Sequence, residues 1–197
     1  FAGGEAPAFF VAARGHHADV GGTAPGSMPP DSRTLTDEGV VFDDVLIVEG
    51  GAMREQAIRE LLASGPWPAR NIDQNIADLA AQVAACARGA DGLRQLAAQQ
   101  GQGVVTRYMA HVQAHAEAMA RRMIATLKDG EFRYQLDDGA VVVVRVTIDA
   151  ERGSATIDFT GTSAQRPTNF NAPLAVTRAA VLYVLRLLVD EAVPLNE

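Results

Sequence analysis

The sequence predicts an α+β fold, with a helical middle section and an antiparallel strand group, forming part of a larger subunit. Three observations predict it. Between residues 53 and 127 apolar side chains recur at helical spacing. After Asp129-Gly130 the pattern changes to β-branched runs separated by tight, glycine-containing turns. Residues 174–189 are apolar nearly all round, as in a helix that is buried or docks onto other sequence. The chain divides accordingly into strands and a histidine loop (1–50), a helical section (51–128), and a strand meander with a buried helix (129–197).

In order along the chain, Ala8-Phe9-Phe10-Val11-Ala12-Ala13 reads as a buried strand feeding the loop that follows. Residues 40–48 read as a second strand. Asp43 and Asp44 break its alternation, so a bulge or bend is expected there, and Gly50-Gly51 ends it. A helix over 53–62 places Ile58, Leu61 and Leu62 on one face, and Gly65-Pro66-Trp67-Pro68 stops it. Asn71 or Asp73 then caps a helix with an Ile72, Ile76, Leu79, Val83 stripe, interrupted at 89–92 by two glycines. A long helix is expected over 104–127. Strands follow at 132–136, 141–148 and 155–159, with turns at Asp137-Asp138-Gly139 and Glu151-Arg152-Gly153. A polar loop, 161–171, leads into the final helix.

Composition removes several function classes. Of 197 residues, 48% are hydrophobic and 21% charged, which is ordinary for a globular protein. A net charge of -7 without a Lys/Arg cluster argues against a nucleic-acid or anionic-lipid surface. The lone Cys86 excludes an internal disulfide and fits the cytoplasm; it reads as a small core residue. Charges interrupt every long apolar stretch, so no membrane span is expected. The first residues, without a basic n-region, do not read as a signal peptide, and the chain's ends read as those of an internal fragment.

The stretch from Arg14 to Ser32 concentrates chemistry. His16, His17 and Asp19 lie within four residues, followed by Gly21-Gly22 and a Pro/Gly/Ser loop. Histidine and aspartate bind metals and move protons near neutral pH. Neighbours on an extended segment point to opposite sides, so His16 and His17 share one ion only if the backbone turns between them. The opposing reading is a polar loop in which Asp19 caps backbone amides. His111 and His115 share a helix face, but without the His-Glu-x-x-His pattern they read as an exposed pair. The 161–171 loop is rich in hydroxyls and amides. Thr162, Asn169 and Asn171 either contact a polar ring or satisfy turns and cap the helix.

Three segments resemble the hydantoinase B / 5-oxoprolinase family: RGHHADVGGTAPGSMPPDSRTLTDEGV, NIADLAAQVAACARGADGLRQL and DFTGTSAQRPTNFNAPLAVTRAAVLYVLR. They occur in the expected order and cover essentially the whole chain. The resemblance implies an ATP-dependent hydrolase acting on a cyclic amide, hydantoin or 5-oxoproline. A ketone carboxylase subunit and a non-catalytic scaffold are the alternatives. It implies a hydantoinase A-type ATPase partner that binds ATP, and hence a hetero-oligomer. It also implies a divalent metal, Mn, Zn or Mg, with His16 and Asp19 as ligands. His16, His17 and Asp19 become the implied catalytic residues, with Asn169 and Thr162 expected to contact substrate. The family's upstream Asn-Asp-Pro-Tyr and Gly-Gly-Thr-His motif is absent from the chain, so the resemblance implies an incomplete site here.

Overall fold

A computed structural model describes residues 7–189. The terminal stretches 1–6 and 190–197, including the chain ends read above, lie outside them. The chain forms two compact units. One runs up to Gly101 and is joined by Arg166–Phe170; the other holds Gln102–Gln165 and the residues from Asn171 onward. The boundary falls inside the section expected to be helical.

In the first unit, a four-residue helix α1 (Leu35–Glu38) precedes a short antiparallel hairpin of β1 (Val48–Glu49) and β2 (Ala52–Met53). Gly50 and Gly51, both at positive φ, form its turn. The strand expected over 40–48 is thus reduced to its end, because Asp44 takes a positive φ of 46° and bends the chain. Helix α2 (Glu55–Leu62) and helix α3 (Ile72–Gln100) pack on each other. Ile58, Leu62, Ala69 and Ile76 form their buried core, flanked by Ile47, Met53, Ile72 and Leu79. Asn71 caps α3, its side chain accepting from Gln74 N at 3.2 Å.

Further expectations fail in this unit. Helix α3 is continuous for 29 residues and does not break at 89–92. A helical glycine costs only ~1 kcal/mol, which the alanine-rich surroundings absorb. Gly89 also has a packing reason, since a Cβ there would lie 2.8 Å from Val11 Cγ1. Residues 8–13 form no strand, and Phe10 is 88% exposed. The segment lies along a helix instead of inside a sheet.

The second unit holds helix α4 (Gln102–Ile124), then β3 (Gly130–Gln135), β4 (Val141–Asp149) and β5 (Ser154–Asp158) in an antiparallel meander of order β3-β4-β5. The register pairs Phe132 with Val144, Tyr134 with Val142 and Val146 with Ile157. Gly139 supplies the positive φ of 82° at the first turn, as expected. At the second turn, Gly153 lies so close to α4 that a Cβ would meet Arg121 O at 2.6 Å. Arg121 Nη1 donates to Arg152 O at 2.9 Å across the same contact. Helix α5 (Leu174–Leu187) follows. Among the described residues it is not buried: Leu182, Tyr183 and Leu187 are each about two-thirds exposed. Cys86 is half-buried, not in the core, and His111 and His115 are exposed. Among the described residues no helix is long and apolar enough to cross a membrane.

Candidate functional site

The histidine segment is held against one face of α3. Val11 meets Gly89, Gly15 runs past the Gln82 amide, His17 Nδ1 lies 3.5 Å from Asp78 Oδ2, and Asp19 O accepts from Asn75 Nδ2 at 2.9 Å. The helix partners descend through 89, 82, 78 and 75 while the segment ascends. An extended chain therefore runs antiparallel to the helix, with odd-numbered residues facing it. His17 is mostly buried and His16 is exposed, so the two imidazoles face opposite ways. Buried His17 Nδ1 makes no hydrogen bond among the described residues, and the nearest carboxylate is that of Asp78. Asp78 is itself held by Gln74 Nε2 at 2.8 Å.

Beyond His17 the chain turns sharply through Gly21 and Gly22, at φ of 97° and 87°. Gly22 N donates to Trp67 O at 3.0 Å and Thr23 N to Asp37 O at 2.8 Å. A Cβ on Gly21 would sit 2.2 Å from Trp67 O, and one on Gly22 would sit 2.6 Å from the Glu38 carbonyl carbon. Only glycine fits this passage on both conformational and steric grounds. Ser27 closes the loop, its Oγ accepting from Val20 N and donating to Gly21 O, both at 2.7 Å.

Asp19 stands at the centre of this loop. Its Oδ1 accepts from Gly21 N at 2.9 Å and Arg70 N at 3.1 Å. Its Oδ2 accepts from Gly26 N at 3.0 Å and Arg70 Nη1 at 2.8 Å. Burial pushes the carboxyl up. The backbone N–H groups of Gly21, Arg70 and Gly26, with the Arg70 guanidinium, outweigh burial and bring it down to about 2.

A carboxylate offers roughly four lone-pair sites, and all four of Asp19's are occupied. Among the described residues, no group of three or more His, Cys, Asp or Glu could hold a metal ion. Asp19 as it stands does not fit the metal that the resemblance implies, and His16 is not part of such a group.

Asn169 joins the histidine loop from 140 residues away, donating from Nδ2 to Pro29 O at 3.1 Å. Thr162 lies in the other unit. Its Oγ1 accepts from Val143 N and donates to Val143 O, both at 3.0 Å, so it extends the edge of β4. Beside the loop, Thr23, Pro29, Pro30, Ser32, Arg33 and Asp37 line an open cleft of about 330 Å³. Sequence reasoning missed Arg70, Asn75, Asp78 and Gln82. The last three are spaced by three and four, a polar stripe beside the apolar one that was recognised. Arg70 carried no such signal.

The whole chain, residues 1–197, matches the family model for hydantoinase B/oxoprolinase. It is 41% identical to 5-oxoprolinase 1 of Arabidopsis thaliana, over 96% of this chain and 17% of that protein. It is 38% identical to a 5-oxoprolinase of Saccharomyces cerevisiae, over 96% of this chain and 16% of that one. In fold it resembles the crystal structure of an ATP-dependent caprolactamase from Pseudomonas jessenii. That match has a TM-score of 0.78 at 24% identity and covers 93% of this chain and 32% of that one. The chain thus spans about a sixth of the length of these two curated relatives.

Proposed function

Because the chain belongs to the hydantoinase B/oxoprolinase family, we propose that it is part of an ATP-dependent hydrolase that opens a cyclic amide, with 5-oxoproline as the favoured substrate and hydantoin as the related one. The observation that carries this reading is the 41% identity to 5-oxoprolinase 1 across 96% of the chain, which includes the histidine loop. In this reading an A-type ATPase, as a partner subunit or a fused domain, activates the ring carbonyl with ATP. The γ-phosphoryl group goes to the ring carbonyl oxygen and ADP leaves. Water then attacks the carbon while an imidazole of the His16–His17 pair takes its proton. The ring C–N bond breaks with the nitrogen taking up a proton, and a second water hydrolyses the resulting acyl phosphate to carboxylate and inorganic phosphate. The Asn169 carboxamide, tethered to the same loop through Pro29, offers a donor and an acceptor that match the C=O and N–H of a lactam. Thr162 is left out, since Val143 already occupies its hydroxyl in both directions. The reaction is assigned to the cytoplasm.

The test is ATP-dependent hydrolysis of 5-oxoproline by the full parent protein and its His16→Ala/His17→Ala variant. Loss of at least ~100-fold in kcat/KM is expected, the scale of a missing general base. Undiminished activity would make the chain a scaffold. Asn169→Ala is expected to lower kcat/KM about tenfold or more, and full activity there would confine the site to the histidines.

A further inference from the structure

The Arg70 guanidinium reaches four acceptors at once: Asp19 Oδ2 and Gly22 O at 2.8 Å, Ala24 O at 3.2 Å and Gly21 O at 3.3 Å. Its own backbone N–H binds the other Asp19 oxygen. The loop from Asp19 to Ala24 is therefore wrapped around one planar cation. Nη2 donates to Gly22 O, and the two hydrogens of Nη1 are shared among Asp19 Oδ2, Ala24 O and Gly21 O, an arrangement that the planar guanidinium fork allows. Arg70 is in turn held rigidly. It follows Ala69, a member of the α2–α3 core, and precedes Asn71, the cap of α3.

We propose that Asp19 and Arg70 form a clasp that fixes the 19–26 loop on the α2–α3 core and so positions the His16–His17 segment, and that Asp19 is a positioning residue and not a metal ligand. A divalent ion at Asp19 would have to displace backbone donors and stand against a guanidinium already bound to the same carboxylate. The neighbouring backbone fits the assignment. Gly21 and Gly22 take up the turn that brings their carbonyls onto the cation, and Ser27 ties the loop's far end back to Val20 and Gly21.

The experiment is a double-mutant cycle in the full parent protein, with Asp19→Asn, Arg70→Gln and the combined variant. Each protein is incubated with Mn2+, desalted and analysed for bound manganese, and each is unfolded in urea. Asp19→Asn and Arg70→Gln are expected to hold the same amount of manganese as each other. The combined variant is expected to be no less stable than the weaker single one. Arg70→Lys keeps the charge but not the fork; it is expected to behave like Arg70→Gln and serves where that variant does not fold.

Loss of manganese by Asp19→Asn but not by the Arg70 variants would overturn the proposal, and so would additive effects on unfolding. A third readout rests on the cyclic-amide reading: kcat is expected to fall about tenfold or more with KM within about threefold, the signature of misaligned groups. Unchanged kcat would overturn the positioning role. A parent protein that does not open 5-oxoproline would overturn the reaction reading alone, with manganese and urea still deciding the clasp.

Discussion

Asp19 is the residue on which most of the candidate site's geometry converges, and its titration has a definite sign. Its carboxyl titrates at about 2 in the folded chain against an ordinary 3.8. A depressed pKa contributes stability that is fully present above the ordinary value and lost as pH falls through the folded one. The difference corresponds to about 2 kcal/mol. Urea unfolding between pH 5 and pH 2 should show that loss in the wild-type protein, and Asp19→Asn should flatten the acid limb. A wild-type curve no steeper than that of the variant would mean the hydrogen bonds to Asp19 do not favour its ionised form. The two loop glycines give a sharper contrast. Gly21→Ala forces a Cβ to 2.2 Å from Trp67 O, whereas Gly50→Ala, at a positive φ of 58°, meets nothing within 4 Å. The first should cost more than ~3 kcal/mol and the second ~1 kcal/mol, from the left-handed backbone alone. Equal costs would show that the close approach at Gly21 relaxes freely.

The helices of the first unit show how far local pattern carries. The α3 stripe was legible in the sequence because apolar spacing is a local signal, and its start was narrowed to two Asx candidates, Asn71 and Asp73, of which the structure selects Asn71. Its passage through Gly89 and Gly92 was not, since the reason for Gly89 is Val11, far away in sequence. That asymmetry can be measured. Gly92→Ala meets open space and should stabilise by ~0.5–1 kcal/mol. Gly89→Ala should gain less or lose, because Val11 has to move. A thermal melt of both variants decides it, and a larger rise in Tm for Gly89→Ala would contradict the packing. The meander of the second unit was also legible, strand by strand, from β-branched runs and glycine-containing turns. Its attachment was not: Thr162 and Ser163 continue the pairing along β4 through side-chain oxygens at 3.0 and 2.9 Å, a use of hydroxyls that composition alone leaves open.

Over the whole chain the surface is strongly apolar in places. Phe132 and Tyr134 stack on an edge strand whose residues are all exposed. On α5 and at its C-cap, Leu182, Tyr183, Val184, Leu187 and Leu188 are 48–67% exposed. Surfaces of this kind mark interfaces or invite association. Residues 1–197 expressed alone should therefore self-associate, as read by light scattering after size-exclusion chromatography. A monodisperse, cooperatively unfolding monomer would contradict this.

The sequence by itself determined the α+β class, the main helices and strands, the two cap candidates of α3 and the family. Each of these follows from spacing, alternation or long motifs, all read between near neighbours in the chain. Only the tertiary structure decided what those residues touch. In the sequence Asp19 had two readings, a ligand beside histidine or a cap of backbone amides. Its carboxylate is surrounded by donors, two of them from a residue 51 positions away. Asn169 reaches the loop across 140 residues, and residues 8–13 lie along α3, not in a sheet. No local pattern encodes such partners, because a hydrogen bond depends on which surfaces meet when the α2–α3 core closes and brings Trp67 and Arg70 against the loop.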